Sequence, residues 1–209
     1  MSSLRPTEKR FEEHIEDHLK TIGYSSYDFK DYDKDLCLIK KDVISFIKKT
    51  QPKEWNKFEK IHGLDTEDKI LKRISNEISN RGIIDVLRKG VDERGIAIKL
   101  CYFEPNSSLN SDHQKLFESN QFTLIRQLYF SKENNESIDI VLFLNGLAII
   151  TIELKNQLSG QNIEHAQKQY RERDPKEPLL KFNRCIAHFC VDNDKVSMTS
   201  KLDGNETSF

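Results

Sequence analysis

Residues 137–156 read SIDIVLFLNGLAIITIELKN, two apolar runs joined at Asn145-Gly146. Asn-Gly between Ile/Leu/Val-rich runs is a strong short-range hairpin signal. Three charges interrupt the apolar pattern: Asp139, Glu153 and Lys155. A charge on a strand otherwise made of Ile, Leu and Val is costly to bury without a partner.

Side chains alternate faces along a strand. Glu153 and Lys155 therefore share a face, and Asp139 must join them from the other strand. A two-residue loop at Asn145-Gly146 pairs Leu144 with Leu147 and hence Asp139 with Ile152, so that Glu153 points away. A three-residue loop, Leu144-Asn145-Gly146 with a left-handed Gly146 in a bulge, pairs Phe143 with Leu147. Asp139 then faces Thr151, with Glu153 as its diagonal neighbour. The spacing predicts this bulged turn or an equivalent one-residue irregularity. The opposite face becomes Ile138, Ile140, Leu142, Leu144, Ala148, Ile150, Ile152 and Leu154, wholly apolar, and calls for a covering helix. Two acids and a lysine gathered on one face point to a metal site with a basic helper, an arrangement suited to cutting a phosphodiester.

With 209 residues, 36 % of them hydrophobic and 12 of them Phe, the chain can build a sizeable core. Its 33 Lys+Arg and 34 Asp+Glu nearly cancel, so no overall basic field draws it onto nucleic acid and any such contact rests on local patches. Cys37, Cys101, Cys185 and Cys190 lack CxxC spacing and read as buried, reduced thiols. With no signal peptide and no long apolar run, the expectation is a soluble, cytoplasmic chain that does not enter a membrane.

Thr7 caps a first helix in which Phe11, Ile15, Leu19 and Ile22 form one stripe ended by Gly23. From Asp33 to Arg88 the period stays helical. Leu36, Ile39, Val43, Phe46 and Ile47 mark one helix, broken by Pro52; Trp55, Phe58, Ile61 and Leu64 mark the next. Ile70, Ile74, Ile78 and Leu87 follow, interrupted at Gly82. Residues 96–103 are strand-like and 105–112 a polar loop. Residues 122–130 form a strand, the hairpin adds two, 161–173 is a helix stopped by Asp174-Pro175, and 186–191 and 196–199 are short strands. The expected fold class is α/β (α+β): a mixed central sheet of four to six strands flanked by helices. One domain is expected, with 1–90 mainly helical, 91–202 the sheet, and 203–209 a tail or linker.

Asp139 followed fourteen positions later by Glu153-x-Lys155 resembles the PD-(D/E)xK nuclease core, although Ile138 stands where that motif has proline. The wider wording, from Ser137 to Leu147, Ile152 to Asn156, Gln169-Tyr170-Arg171, Asp174-Pro175 and Arg184 to Phe189, is similar to the N-terminal nuclease region of the R (motor and nuclease) subunit of prokaryotic type I restriction-modification enzymes. The likeness extends from the Phe11-Glu12 helix to Thr199-Ser200-Lys201-Leu202. It implies an endonuclease acting on double-stranded DNA with M and S subunits as partners. An ATP-driven motor would follow; the chain contains no GxxxxGK[ST] phosphate loop, so ATP belongs to the full-length subunit only.

The resemblance also implies roles. Asp139 and Glu153 would bind Mg²⁺, with Mn²⁺ a possible substitute and the carbonyl oxygen of Leu154 a further ligand. Lys155 would hold the attacking water. Glu12 would complete the shell from the first helix, with Glu8, Glu13 and Glu16 as competitors. A glutamine and tyrosine at Q-x-x-x-Y spacing occur in many relatives; here Gln167 lies three and Gln169 one before Tyr170, and both stay open. Arg171, Arg173 and Lys168 would add positive charge beside the cut. His188, on an apolar strand, reads as a satisfied core residue. Two other readings stand beside this one: hairpin charges that are purely structural in a docking or DNA-binding domain of the same complex, and a stand-alone repair nuclease.

Overall fold

A computed structural model describes residues 6–106 and 111–209, with N-terminal side chains from Glu8 onward; the capping role read for Thr7 and much of the loop read at 105–112 lie outside the described residues. Helix α1 (Pro6–Thr21) leads into a short edge strand β1 (Ser25–Tyr27), and four helices follow: α2 (Lys40–Thr50), α3 (Pro52–His62), α4 (Thr66–Arg81) and α5 (Ile83–Lys89). Strands β2 (Val91–Glu93) and β3 (Ile96–Ile98) form a separate antiparallel pair. Then come α6 (Ser111–Phe117), β4 (Phe122–Tyr129), β5 (Ser137–Leu144), β6 (Leu147–Leu154), α7 (Ile163–Glu172), β7 (Ala187–Val191) and β8 (Val196–Thr199).

Six strands make one mixed sheet in the order β1-β4-β5-β6-β7-β8. β1 runs parallel to β4, and β7 parallel to β6; the other neighbours are antiparallel. Apolar side chains fill both faces. Ile140, Leu142, Leu147, Ile149 and Leu154 pack with Val43, Phe46, Ile74 and Ile78 of the N-terminal helices, and Phe11, Ile15 and Leu19 of α1 lie against them. Ile125, Val141, Phe143 and Ala148 pack with Ile163, Ala166 and Tyr170 of α7 and with Leu179 and Leu180. The mixed α/β sheet flanked by helices matches the fold class read from the pattern and is consistent with a PD-(D/E)xK-like domain. Among the described residues no helix is long and apolar enough to cross a membrane. All four cysteines are buried and unbridged.

Several expectations are corrected. The segment at 96–103 forms only three strand residues and stays outside the main sheet. Leu36 and Ile39 precede α2 rather than lying on it; Leu38 makes bridges to Asp33 and Leu147, so their helical spacing reflects a shared core and not a shared helix. Ile22 lies beyond α1, 62 % exposed, because Gly23 at φ 102° turns the chain there. The end of the chain does not hang free: Leu202 and Thr207 are buried, and the Phe209 ring lies 6.1 Å from that of Tyr170.

The largest correction concerns the hairpin. Leu144 pairs with Leu147 and Phe143 with Ala148, so the turn has two residues. Asn145 (φ 51°) and Gly146 (φ 80°) are both left-handed, as a type I′ turn requires and as Asn-Gly favours. The irregularity lies further along: Leu142 pairs with Ile150, which leaves Ile149 as an extra residue in β6. Ala148 therefore joins the α7 face, while Leu147 and Ile149 face the N-terminal helices; Ile138 also lies on the α7 face although Ile140, two residues along β5, does not. Beyond the bulge the pairing continues through Val141 with Thr151 and Ile140 with Ile152. Thr151 is thus taken by Val141, and Asp139, beyond the last paired residue of β5, lies near Glu153.

Candidate active site

The bulge at Ile149 and a second distortion in β4 position the acids. Gln127 adopts φ 47° in the middle of β4, a conformation that a non-glycine residue holds only when its surroundings require it. Its amide donates from Nε2 to Glu12 Oε1 at 2.8 Å and to Asp139 Oδ1 at 2.9 Å, and its Oε1 accepts from Ser137 Oγ at 2.8 Å. The other Asp139 oxygen accepts the Leu154 amide proton at 2.7 Å. Asp139 is thus fixed between neighbouring strands by one side chain and one backbone group.

Glu153 is fully buried. Burial, and next the neighbouring Asp139 carboxylate, push its pKa well above the ordinary range, while Arg173 and Lys155 pull it down. Arg173 follows α7 and is itself 5 % exposed. Its Nη2 pairs with Glu153 Oε1 and donates to the Ser137 carbonyl at 2.6 Å. Its guanidinium lies over the Phe130 and Tyr170 rings, at 5.1 and 5.8 Å. Among the described residues Glu153 Oε2 has no hydrogen-bond partner, nor has Glu12 Oε2.

Glu12 reaches the site from α1 and is 1 % exposed. Burial and then Asp139 raise its pKa to about 7; Arg126 Nε lies 3.5 Å from its Oε2. Of the neighbouring glutamates, Glu8 lines the same cleft as Asp139, whereas Glu13 lies beside Lys9 and Glu16 on Arg126 and Lys20. Lys155 leaves the end of β6 and lines a cleft of about 1160 Å³ together with Asp139, Gln127, Arg173 and Gln169.

The chain matches, over residues 5–207, the family described as type I restriction enzyme R protein N terminus (HSDR_N). It belongs to this family. No curated protein matches it. For an R-protein N-terminal domain, the structure places Asp139 and Lys155 in one cleft, sets Glu12 and Glu153 each beside Asp139, and separates the glutamines. Gln169 lines the cleft, whereas Gln167 donates to Ser197 Oγ at 3.0 Å. Tyr170 is fully buried, with its hydroxyl 2.7 Å from Thr151 Oγ1. Thr151 in turn meets His188 Nδ1 at 2.7 Å. Burial lowers the His188 pKa to about 4, in keeping with a neutral core imidazole. Arg171 turns to the C-terminus, donating to the Thr207 carbonyl at 3.2 Å and lying over Phe209. Lys168 is exposed beside Glu172.

Two features of this R-protein domain escaped the reading of the sequence. Gln127 did, although Arg126-Gln127 interrupts an apolar strand just as Asp139 interrupts its neighbour. The pairing of Arg173 with Glu153 did too, because Arg173 reads equally as a solvated helix end. Among the described residues no three His, Cys, Asp or Glu side chains converge closely enough to hold a metal ion by themselves. The donor chemistry nevertheless fits a hard divalent cation: two adjacent carboxylates and a buried carboxylate oxygen, Glu153 Oε2, with no hydrogen-bond donor.

Proposed function

We propose that this domain is the Mg²⁺-dependent endonuclease of a type I restriction R subunit, hydrolysing DNA phosphodiesters. The observation that carries the reading is the closeness of Asp139 to the buried Glu153, whose pKa it raises, with Asp139 and Lys155 lining one cleft. Asp139, Glu153 and the Leu154 carbonyl would hold the ion, and water would complete its shell. When bound, the ion stabilises charge on the phosphate and lowers the pKa of a water. Lys155 orients the attacking water and offsets phosphate charge. Gln127 and the Leu154 amide keep Asp139 in place, and Arg173 keeps Glu153 in place. Glu12 supplies a third carboxylate at the edge of the site. Target specificity comes from the S subunit with its M partners, and ATP hydrolysis from the motor of the full-length subunit.

In the assembled complex, Asp139→Ala or Lys155→Ala is expected to abolish cleavage while ATP hydrolysis and translocation continue; retained cleavage would overturn the assignment. The Arg173–Glu153 pair favours a second reading, in which the buried charges are structural and the domain serves only to dock. Metal titration separates the two. A nuclease site binds Mg²⁺ or Mn²⁺ and loses it in Glu153→Gln, a variant that still offers Arg173 an acceptor; a docking domain binds no metal in either form.

A further inference from the structure

The cleft lined by Lys155 also carries two aromatic side chains. Phe29 and Tyr129 both line it, with ring centroids 5.1 Å apart at 73°. Phe29 is 37 % exposed; Tyr129 meets it at an angle of 73° and the Lys30 ammonium lies 5.9 Å from its ring centre, a cation that a stacked base would displace. The ring stands on a firm base. Asp28 caps its short turn through the Lys30 amide at 2.9 Å, the Tyr32 amide closes the turn on the Phe29 carbonyl, and the preceding strand β1 pairs with β4. Tyr129 pairs with Ser137, two residues before Asp139 on the same strand, a step of about 7 Å.

The charge of this cleft is ill suited to gripping a phosphate backbone. Glu8, Glu136, Asp139 and Glu172 line it against Lys34, Lys155 and Arg173, and Arg173 is committed to Glu153. Beyond the one phosphate met by Lys155 and a bound ion, affinity for a nucleic acid here must come from something other than phosphate neutralisation. Stacking of a base on an aromatic side chain is the alternative, and every base has a π-face to offer. A paired base inside a duplex has both faces covered by its neighbours, so only an unpaired nucleotide fits these rings.

Resting on the nuclease reading, we propose that Phe29, edged by Tyr129, stacks an unpaired nucleobase beside the attacked phosphate, so that the domain receives locally single-stranded DNA. Lys34 lines the same cleft; its ammonium already donates to the Ser131 carbonyl at 2.6 Å and has two further N–H donors for a flanking phosphate.

The test compares a short single-stranded oligonucleotide with a blunt duplex of the same sequence. Binding to the chain is measured with Ca²⁺ in place of Mg²⁺, and a fluorescent adenine analogue in the single strand reports stacking. Phe29→Ala is expected to weaken single-strand binding about tenfold and to remove the fluorescence quenching, with duplex binding unchanged. Phe29→Tyr, which keeps the ring, is expected to restore both. With only one or two phosphates contacted, log affinity is expected to fall against log salt with a slope of about −0.7 to −1.4. Equal loss on both substrates, no loss on either, or no single-strand binding by the unaltered chain overturns the proposal. These readouts involve no cleavage. They can fail while Asp139→Ala still abolishes cutting, and can succeed when it does not.

Discussion

At the scale of single residues, the Glu153–Arg173 pair is the most exposed to substitution. Both side chains are almost wholly buried, and breaking such a pair by removing one partner costs about 3–5 kcal/mol. The two partners are not equivalent. Glu153 can take up a proton, and its raised pKa shows the tendency; a guanidinium cannot shed its charge. Glu153→Met is therefore expected to cost about 3–5 kcal/mol, and Arg173→Met distinctly less, as read from urea unfolding midpoints. The reverse order would mean that Glu153 stays charged when Arg173 is removed. Asp139, Glu153 and Lys155 were legible in the sequence because each breaks an apolar strand. Arg173 was not, because it lies beyond the helix α7 and its burial depends on Phe130 and Tyr170 from other elements.

At the scale of elements, the hairpin decides whether a site exists at all. Alternation made one extra residue obligatory, and that much follows from counting. Its position does not, since Asn-Gly serves a two-residue turn and a bulged loop alike. Tertiary contacts make the choice. Asn145 is buried, donating to the Leu100 carbonyl at 2.9 Å and accepting from the Gln121 amide at 2.8 Å. The Gly146 carbonyl accepts from the Ile39 amide at 2.8 Å. The turn thus receives the start of α2, and the bulge moves to Ile149. A Cβ on Gly146 would stand 2.5 Å from the Ile39 carbonyl and 2.9 Å from the Val43 amide nitrogen, at φ +80°. Gly146→Ala is expected to destabilise the fold by about 3 kcal/mol through strain and displacement of α2. A loss under about 1 kcal/mol in thermal or urea unfolding would show that α2 does not rest on the turn. β1 was missed for a related reason: three residues on an edge carry too little pattern to be seen.

At the scale of the whole molecule, the site's acids couple folding, pH and metal. Glu12 has a pKa of about 7 folded against 4.5 ordinarily, so it binds its proton more tightly in the native state. Its contribution to stability is full below about pH 4.5 and is lost as pH rises through about 7. Glu153 acts in the same direction. His188 acts oppositely: its pKa falls from 6.5 to about 4, so stability is lost as pH drops through that window. The two slopes oppose each other between about pH 4.5 and 6.5, and a simple pH–stability curve would hide the effect. The difference between the unaltered chain and Glu12→Gln isolates it. That variant is expected to gain on the unaltered chain as pH rises from 4.5 to 7, by up to about 3 kcal/mol at roughly 1.4 kcal/mol per pKa unit. A divalent ion held by these carboxylates must displace their protons. Mg²⁺ is therefore expected to raise the melting temperature of the unaltered chain more at pH 8 than at pH 6, with protons released on binding at pH 7. A Mg²⁺ shift that is equal at both pH values would place the titrating acids outside the ion's site, and a Glu12→Gln difference that stays flat from pH 4.5 to 7 would show that folding does not raise the Glu12 pKa.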